Sequence, residues 1–96
     1  MGLGFSNDIS YKGMLFHIET EDRGPGNPAI ITNLFWKGII LYTKRINYGD
    51  VIKFERLGEL VLELMKKQHR EVISELCSGK LDNLINEKVG FHGGRQ

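Results

Sequence analysis

The sequence predicts an α+β domain, in which a three-stranded antiparallel meander is followed by a long amphipathic helix and a short C-terminal helix. Three observations lead to this prediction. Apolar and polar residues alternate with a period of two in the first half of the chain. The Lys37-Gly38 pair lies between two such segments, where a tight hairpin turn needs a glycine. In the second half, apolar residues recur at helical spacing.

The three predicted strands are 11–20, 29–36 and 39–46. In the first strand, Met14, Phe16 and Ile18 share one face, and Tyr11, Leu15, His17 and Glu19 share the other. The segment GPGNP at 24–28 interrupts regular structure before the second strand.

A two-residue turn at Lys37-Gly38 would place Thr32 opposite Thr43 and Leu34 opposite Leu41. Both faces of this hairpin are then apolar, and one helix can cover only one of them. An apolar sheet face left uncovered in a small domain favours a partner, most simply a second copy related by a two-fold axis. The residues predicted to form this homodimer interface are Ile31, Phe35, Ile40 and Tyr42.

The long helix is predicted to begin near Asp50, as N-cap, and to run to about Ser78, with Gly79 as C-cap. A second, short helix is predicted at 80–87. The ordered core is therefore expected at about 8–88 of a single domain, 1–96, with a flexible tail at 89–96. The apolar stripe of the long helix is Leu57, Leu60, Val61, Leu64, Met65, Gln68, Val72 and Leu76.

Composition limits the classes of function. The net charge is +1, and Lys66, Lys67 and Arg70 are interleaved with glutamates, so nucleic acid is an unlikely ligand. No apolar segment approaches 18 residues, so no membrane span is predicted. Cys77 is the single cysteine, which excludes an internal disulfide and a Cys-based zinc site and fits a cytoplasmic protein.

The stretch FHIETEDRGPGNP at 16–28 holds the densest group of chemically active side chains. A divalent metal could be bound by His17, Glu19, Glu21 and Asp22. The favoured interpretation is structural: a strand end followed by an ordered turn, in which Glu21 and Asp22 accept hydrogen bonds from main-chain N–H groups of 23–27. No catalytic residue and no cofactor are predicted.

The same stretch resembles a family of small bacterial proteins that carry Tyr-His-x-Gln-Thr-Glu-Asp-x-Gly, then a proline, a hairpin and a helix containing Gln-His. This sequence has Phe16 where that family has Tyr, and Glu19 where it has Gln. The resemblance covers most of 11–80 and implies no particular activity. It implies a signature turn formed by Thr20, Glu21, Asp22 and Gly24, and a second spot on the helix at Gln68 and His69.

The leading functional prediction is a non-enzymatic, self-associating domain that serves in protein–protein interaction, with a protein partner that the sequence does not identify. Two alternatives remain open. One is a metal-binding or catalytic domain that uses the His17, Glu19, Glu21 and Asp22 group. The other is an accessory protein for nucleic acid.

Overall fold

The computed structural model describes residues 4–51, 53 and 55–89. The protein is α+β, with one antiparallel sheet and two helices, as the sequence predicts. The strands are β1 (Gly4–Tyr11), β2 (Met14–Asp22), β3 (Ala29–Trp36) and β4 (Ile39–Asn47). A 3₁₀ turn at Gly49–Val51 follows, then α1 (Leu57–Cys77) and α2 (Asp82–Val89).

The sheet has four strands in the order β1-β2-β3-β4, so the prediction of three strands is wrong. The additional strand is β1, which pairs with β2 from Gly4↔Glu21 to Tyr11↔Met14. The first predicted strand, 11–20, therefore spans the end of β1, a turn and most of β2. The expected core boundary at residue 8 also lies inside β1.

Two turns of identical sequence close the β1–β2 hairpin and the β3–β4 hairpin. Lys12-Gly13 joins β1 to β2, and Lys37-Gly38 joins β3 to β4. Both residues of each pair have positive φ, near 50° for the lysine and near 80° for the glycine. This is the backbone conformation whose twist matches that of the flanking strands, and glycine adopts it without steric cost.

A β-bulge interrupts the pairing of β3 with β4 between Leu34 and Phe35. Trp36 pairs with Ile39 across the two-residue turn, but Leu34 pairs with Tyr42 and Thr32 pairs with Lys44. Leu41 is the extra residue on β4, and it is buried. A bulge leaves one residue unpaired and shifts the register beyond it, so the predicted Thr32–Thr43 and Leu34–Leu41 pairs do not form.

Helix α1 begins at Leu57, seven positions after the predicted N-cap, because the chain around Asp50 forms the 3₁₀ turn instead. Tyr48 fixes that turn: its N–H bonds the Pro28 carbonyl at 3.0 Å and its carbonyl accepts from Val51. At the other end α1 stops at Cys77, and Gly79 follows with φ 88°, which is the left-handed position expected of a glycine there.

Helix α2 begins two residues later than predicted and includes Val89, which is buried. Val89 therefore belongs to the packed domain and not to a tail, while 90–96 lie outside the described residues. A link to the first hairpin holds α2 in place: Tyr11 O–H donates to Asp82 at 2.8 Å, and the Lys12 ammonium lies 2.8 Å from the same carboxylate.

Both helices lie on one face of the sheet and produce a two-layer fold. Phe16, Ile18 and Leu34 point into the layer between sheet and helices and are almost fully buried. They pack against the α1 stripe and against α2. We call this side of the sheet the inner face and the other side, which no described helix covers, the outer face. The α1 residues that are buried are Val61, Met65, Gln68, His69, Val72 and Leu76.

Candidate functional site

A hydrogen-bonded charged group lies on the outer face, centred on His17. Its Nδ1 is 2.7 Å from Asp8 Oδ1, and its Nε2 is 2.9 Å from Glu19 Oε2. Asp8 is the cross-strand partner of His17, and Glu19 follows two residues along β2, so all three side chains share the face. Hydrogen bonding to Asp8, and then to Glu19, raises the pKa of His17.

The four residues of the metal-binding alternative are not brought together. His17 and Glu19 are in contact, but Glu21 forms an ion pair with Arg23 at 2.7 Å. Asp22 projects from the opposite face of β2, where it bonds Tyr48. Within the described ranges, no group of three or more His, Cys, Asp and Glu side chains is arranged to hold a metal ion. The metal alternative stays a prediction.

The signature turn is organised by Asp22. Its Oδ1 accepts hydrogen bonds from the Gly24 N–H at 2.9 Å and from the Tyr48 O–H at 2.6 Å. The first bond is the main-chain contact that the sequence predicts for Asp22, whereas Glu21 bonds a side chain instead. Burial, together with the bond to Asp22, raises the pKa of Tyr48 to about 12. Gly24 has φ 90°, a conformation that glycine tolerates best.

The other residue of the signature, Thr20, points inward and meets the Gln68-His69 spot of α1. Thr20 Oγ1 lies 2.7 Å from both Thr32 Oγ1 and His69 Nδ1. The Gln68 amide nitrogen is 3.1 Å from Thr32 Oγ1 and also contacts the main-chain carbonyls of Ile30 and Lys44. These side chains are buried, so Thr20 of the signature turn and the Gln68-His69 spot belong to one polar network at the sheet–helix boundary.

The hydrogen bonds of this network are all oriented in the same direction, from Gln68 as the first donor to Asn7 as the last acceptor. His69 Nε2 lies 2.7 Å from Asn7 Oδ1, which can only accept, so Nε2 carries the proton and Nδ1 is an acceptor. Thr20 therefore donates to His69, and Thr32 in turn donates to Thr20. Gln68 donates to Thr32, while its own buried amide oxygen has no partner among the described residues. Burial lowers the pKa of His69, in keeping with a neutral ring.

Three of the four predicted interface residues lie on the outer face. Ile31 pairs with Glu21, and Phe35 pairs with His17 and Ile40, in rows that cross the sheet. Tyr42 does not join them: it pairs with Leu34 and its O–H donates to Glu75 of α1 at 3.0 Å. The prediction that Tyr42 shares a face with Phe35 is wrong, because the bulge at Leu41 turns Tyr42 toward the helix.

The sequence pattern does not predict several residues of these sites. Asp8 and Asn7 were missed together with β1, and Tyr48 lies in a loop with no periodicity. One signal was available for β1: Lys12-Gly13 repeats the Lys37-Gly38 turn and is followed by alternating residues. No local pattern indicates the contact between Asp22 and Tyr48, because the two residues meet only through the fold.

Comparison of the chain with models of protein families, with curated proteins and with solved structures finds no match. Among the described helices, none is long and apolar enough to cross a membrane.

Proposed function

We propose that the protein is a self-associating domain for protein–protein interaction and that it acts through the outer face of its sheet. One observation carries the proposal. Both described helices cover the inner face, and on the outer face Leu15 is 63% exposed and Ile40 is 48% exposed, on either side of Phe35. Exposed apolar side chains grouped on one face are typical of interaction surfaces.

The charges on the outer face favour a second copy as the partner. Asp8, Glu19 and Glu21 lie on β1 and β2, whereas Arg45 lies on β4 at the opposite edge of the sheet. A two-fold axis parallel to the strands would place β4 of each copy over the acidic strands of the other. Opposite charges then meet on both sides of the apolar residues, and such complementarity favours this arrangement over one that aligns like charges.

Sedimentation equilibrium tests the proposal with a pair of neighbouring variants. The wild type is expected to show about twice the 11.0 kDa mass of the chain at micromolar concentration. Ile40→Glu, which places a charge on the outer face, is expected to give the monomer mass because an unpaired charge in an interface is costly. Ile39→Glu is the matched control: Ile39 is 55% exposed but, with Trp36, belongs to the opposite face.

A wild type that remains monomeric over a wide concentration range would contradict the proposal. Equal dissociation in Ile39→Glu and Ile40→Glu would contradict the assignment to the outer face. The nucleic-acid alternative has less support in the fold, since Lys66 and Lys67 form ion pairs with Glu63 and Glu71 along α1. It stays a prediction, and binding to duplex DNA or RNA with a steep salt dependence would favour it.

A further inference from the structure

The β1–β2 hairpin and the β3–β4 hairpin are not paired with each other at the ends that carry their turns. The pairing of β2 with β3 stops at His17↔Phe35. In contrast, β1–β2 pairing continues to Tyr11↔Met14, and β3–β4 pairing continues to Trp36↔Ile39. The β3–β4 bulge begins at Leu34/Phe35, where the β2–β3 pairing ends. Because a bulge increases the local twist of its strand, it favours divergence of the two hairpins at this point.

A groove of about 460 Å³ lies between the separated hairpins. This volume is within the range of about 300–1,000 Å³ that is usual for ligand pockets. The walls are mostly apolar, and Leu15, Phe35 and Trp36 contribute to them. The polar side chains that reach the groove are Asp8, His17 and Lys37. The groove thus combines an apolar slot with a few charged groups at its border.

Comparison of the two identical turns distinguishes the lysine at the groove. Lys12 and Lys37 occupy the same position with the same φ of 50°. The Lys12 ammonium is paired with Asp82, whereas Lys37, within the described part of the chain, forms no ion pair and lies 4.8 Å from the centre of the Trp36 ring. His17 is already bonded to two carboxylates. Lys37 is therefore the cation of the groove that can receive an anionic group.

The groove also offers main-chain groups. Along a strand, N–H and C=O groups alternate between the two neighbouring strands. The tight turn pairs Met14 with Tyr11 of β1, so the main-chain groups of Leu15 are directed toward β3. No residue of β3 is paired with Leu15, since that ladder begins at His17. An extended peptide could bond there as a short added strand would.

We propose that this groove binds the carboxyl-terminal residue of another polypeptide. The apolar terminal side chain packs against Phe35, the carboxylate contacts the Lys37 ammonium, and the peptide main chain bonds Leu15. The groove requires an anion, an apolar group and a main-chain amide in its ligand. The last residue of a chain supplies all three at once, which favours a chain terminus over an internal segment. This inference goes beyond the self-association proposed above: the two share Leu15 and Phe35, but binding of a terminus depends on Lys37, whereas self-association depends on Ile40.

Trp36 is the only tryptophan of the chain and lines the groove, so its fluorescence reports binding directly. The probe is the pentapeptide Gly-Ser-Thr-Ala-Phe with a free carboxylate, compared with the same peptide as a C-terminal amide. The free acid is expected to give a saturable change, and amidation is expected to weaken binding about two- to fivefold, because the charge that contacts the exposed Lys37 is lost.

Lys37→Met and Lys12→Met form the matched pair of variants. Lys37→Met keeps an apolar side chain of similar length and is expected to lose about two- to fivefold in affinity, whereas Lys12→Met is expected to bind as the wild type does. Anisotropy of a fluorescein-labelled peptide provides a second measurement, because removal of the ammonium near Trp36 can itself alter the intrinsic emission.

Equal binding of acid and amide, equal affinities of the two lysine variants, or no saturable binding would each overturn the proposal. N-acetylphenylalanine that binds as tightly as the pentapeptide would indicate a site for small carboxylic acids and would overturn the assignment to a polypeptide. The titrations are repeated in Ile40→Glu, so that a groove covered by self-association is not mistaken for one that does not bind. The mass of each sample is measured by sedimentation, which separates failure of this proposal from failure of self-association.

Discussion

Replacement of Asp22 by alanine is expected to destabilise the protein much more than replacement of its neighbour Glu21. Asp22 Oδ1 accepts two hydrogen bonds, one from the Gly24 N–H and one from the Tyr48 O–H. Tyr48 is 2% exposed, so its hydroxyl has little access to water once the acceptor is removed. Glu21 lies on the outer face, and among the described residues its carboxylate bonds only the Arg23 side chain.

The magnitude follows from the groups left without a partner. A buried donor that loses its acceptor costs about 1–3 kcal/mol, which applies to the Tyr48 O–H, and loss of the Gly24 bond adds about 1 kcal/mol. Asp22→Ala is therefore expected to lower the free energy of unfolding by about 3 kcal/mol. Exposed ion pairs contribute little, so Glu21→Ala is expected to cost less than about 0.5 kcal/mol.

Urea denaturation of both variants, with thermal melts as a second measurement, tests this prediction. For a domain of this size, 1 kcal/mol corresponds to a shift in Tm of about 4–8 °C, so Asp22→Ala is expected to melt roughly 12–24 °C below the wild type. Tyr48→Phe removes the same bond from the other side, and in that background Asp22→Ala is expected to cost about 1–2 kcal/mol less. Equal costs for Asp22→Ala and Glu21→Ala, or additivity with Tyr48→Phe, would refute the reasoning.

Two further predictions concern the histidines. By NMR titration, the pKa of His17 is expected above 6.5, and it is expected to fall in Asp8→Asn. The stability that the His17 hydrogen bonds contribute is present below pH 6.5 and is lost as pH rises through the folded pKa. An unchanged titration midpoint in Asp8→Asn would contradict the assigned cause. The pKa of His69 is lowered, so the stability that the neutral ring contributes is present above pH 6.5 and is lost as pH falls toward the folded pKa. Asn7→Ala removes the partner of His69 Nε2 and is expected to cost about 1 kcal/mol in urea denaturation. The control Ser6→Ala, on the other face of β1, is expected to cost almost nothing.

The elements that the sequence predicts well are those with strong periodicity. β3, β4 and α1 repeat apolar residues at spacings that match their structure, and their existence follows from that pattern. β1 was missed because its sequence, GFSNDISY, is rich in Ser, Asn and Asp, which are uncommon in strands. It forms a strand because Phe5 and Ile9 pack inward beside β2, a contact that only the tertiary structure supplies.

The candidate sites were predicted less completely than the fold, for two physical reasons. A single extra residue in β4 reverses the face of Tyr42, and no residue type in that strand marks a bulge. Tyr48 lies 26 residues from its partner Asp22, and Asn7 lies 62 residues from its partner His69, so local spacing carries no information about these two contacts. Gln68 was predicted on the apolar stripe of α1, and its burial agrees, but its bonds to the sheet could not be read from the stripe.

The polar network between the sheet and α1 also determines how the helix is aligned along the sheet. An apolar stripe alone would tolerate a slide of one helical turn, about 5.4 Å, because leucine-like side chains can exchange neighbours at little cost. Such a slide would separate Gln68 and His69 from Thr32 and Thr20 and leave buried polar groups unpaired, at about 1–3 kcal/mol for each group. Two adjacent helix residues thus select one alignment of α1 from several that hydrophobic packing would accept.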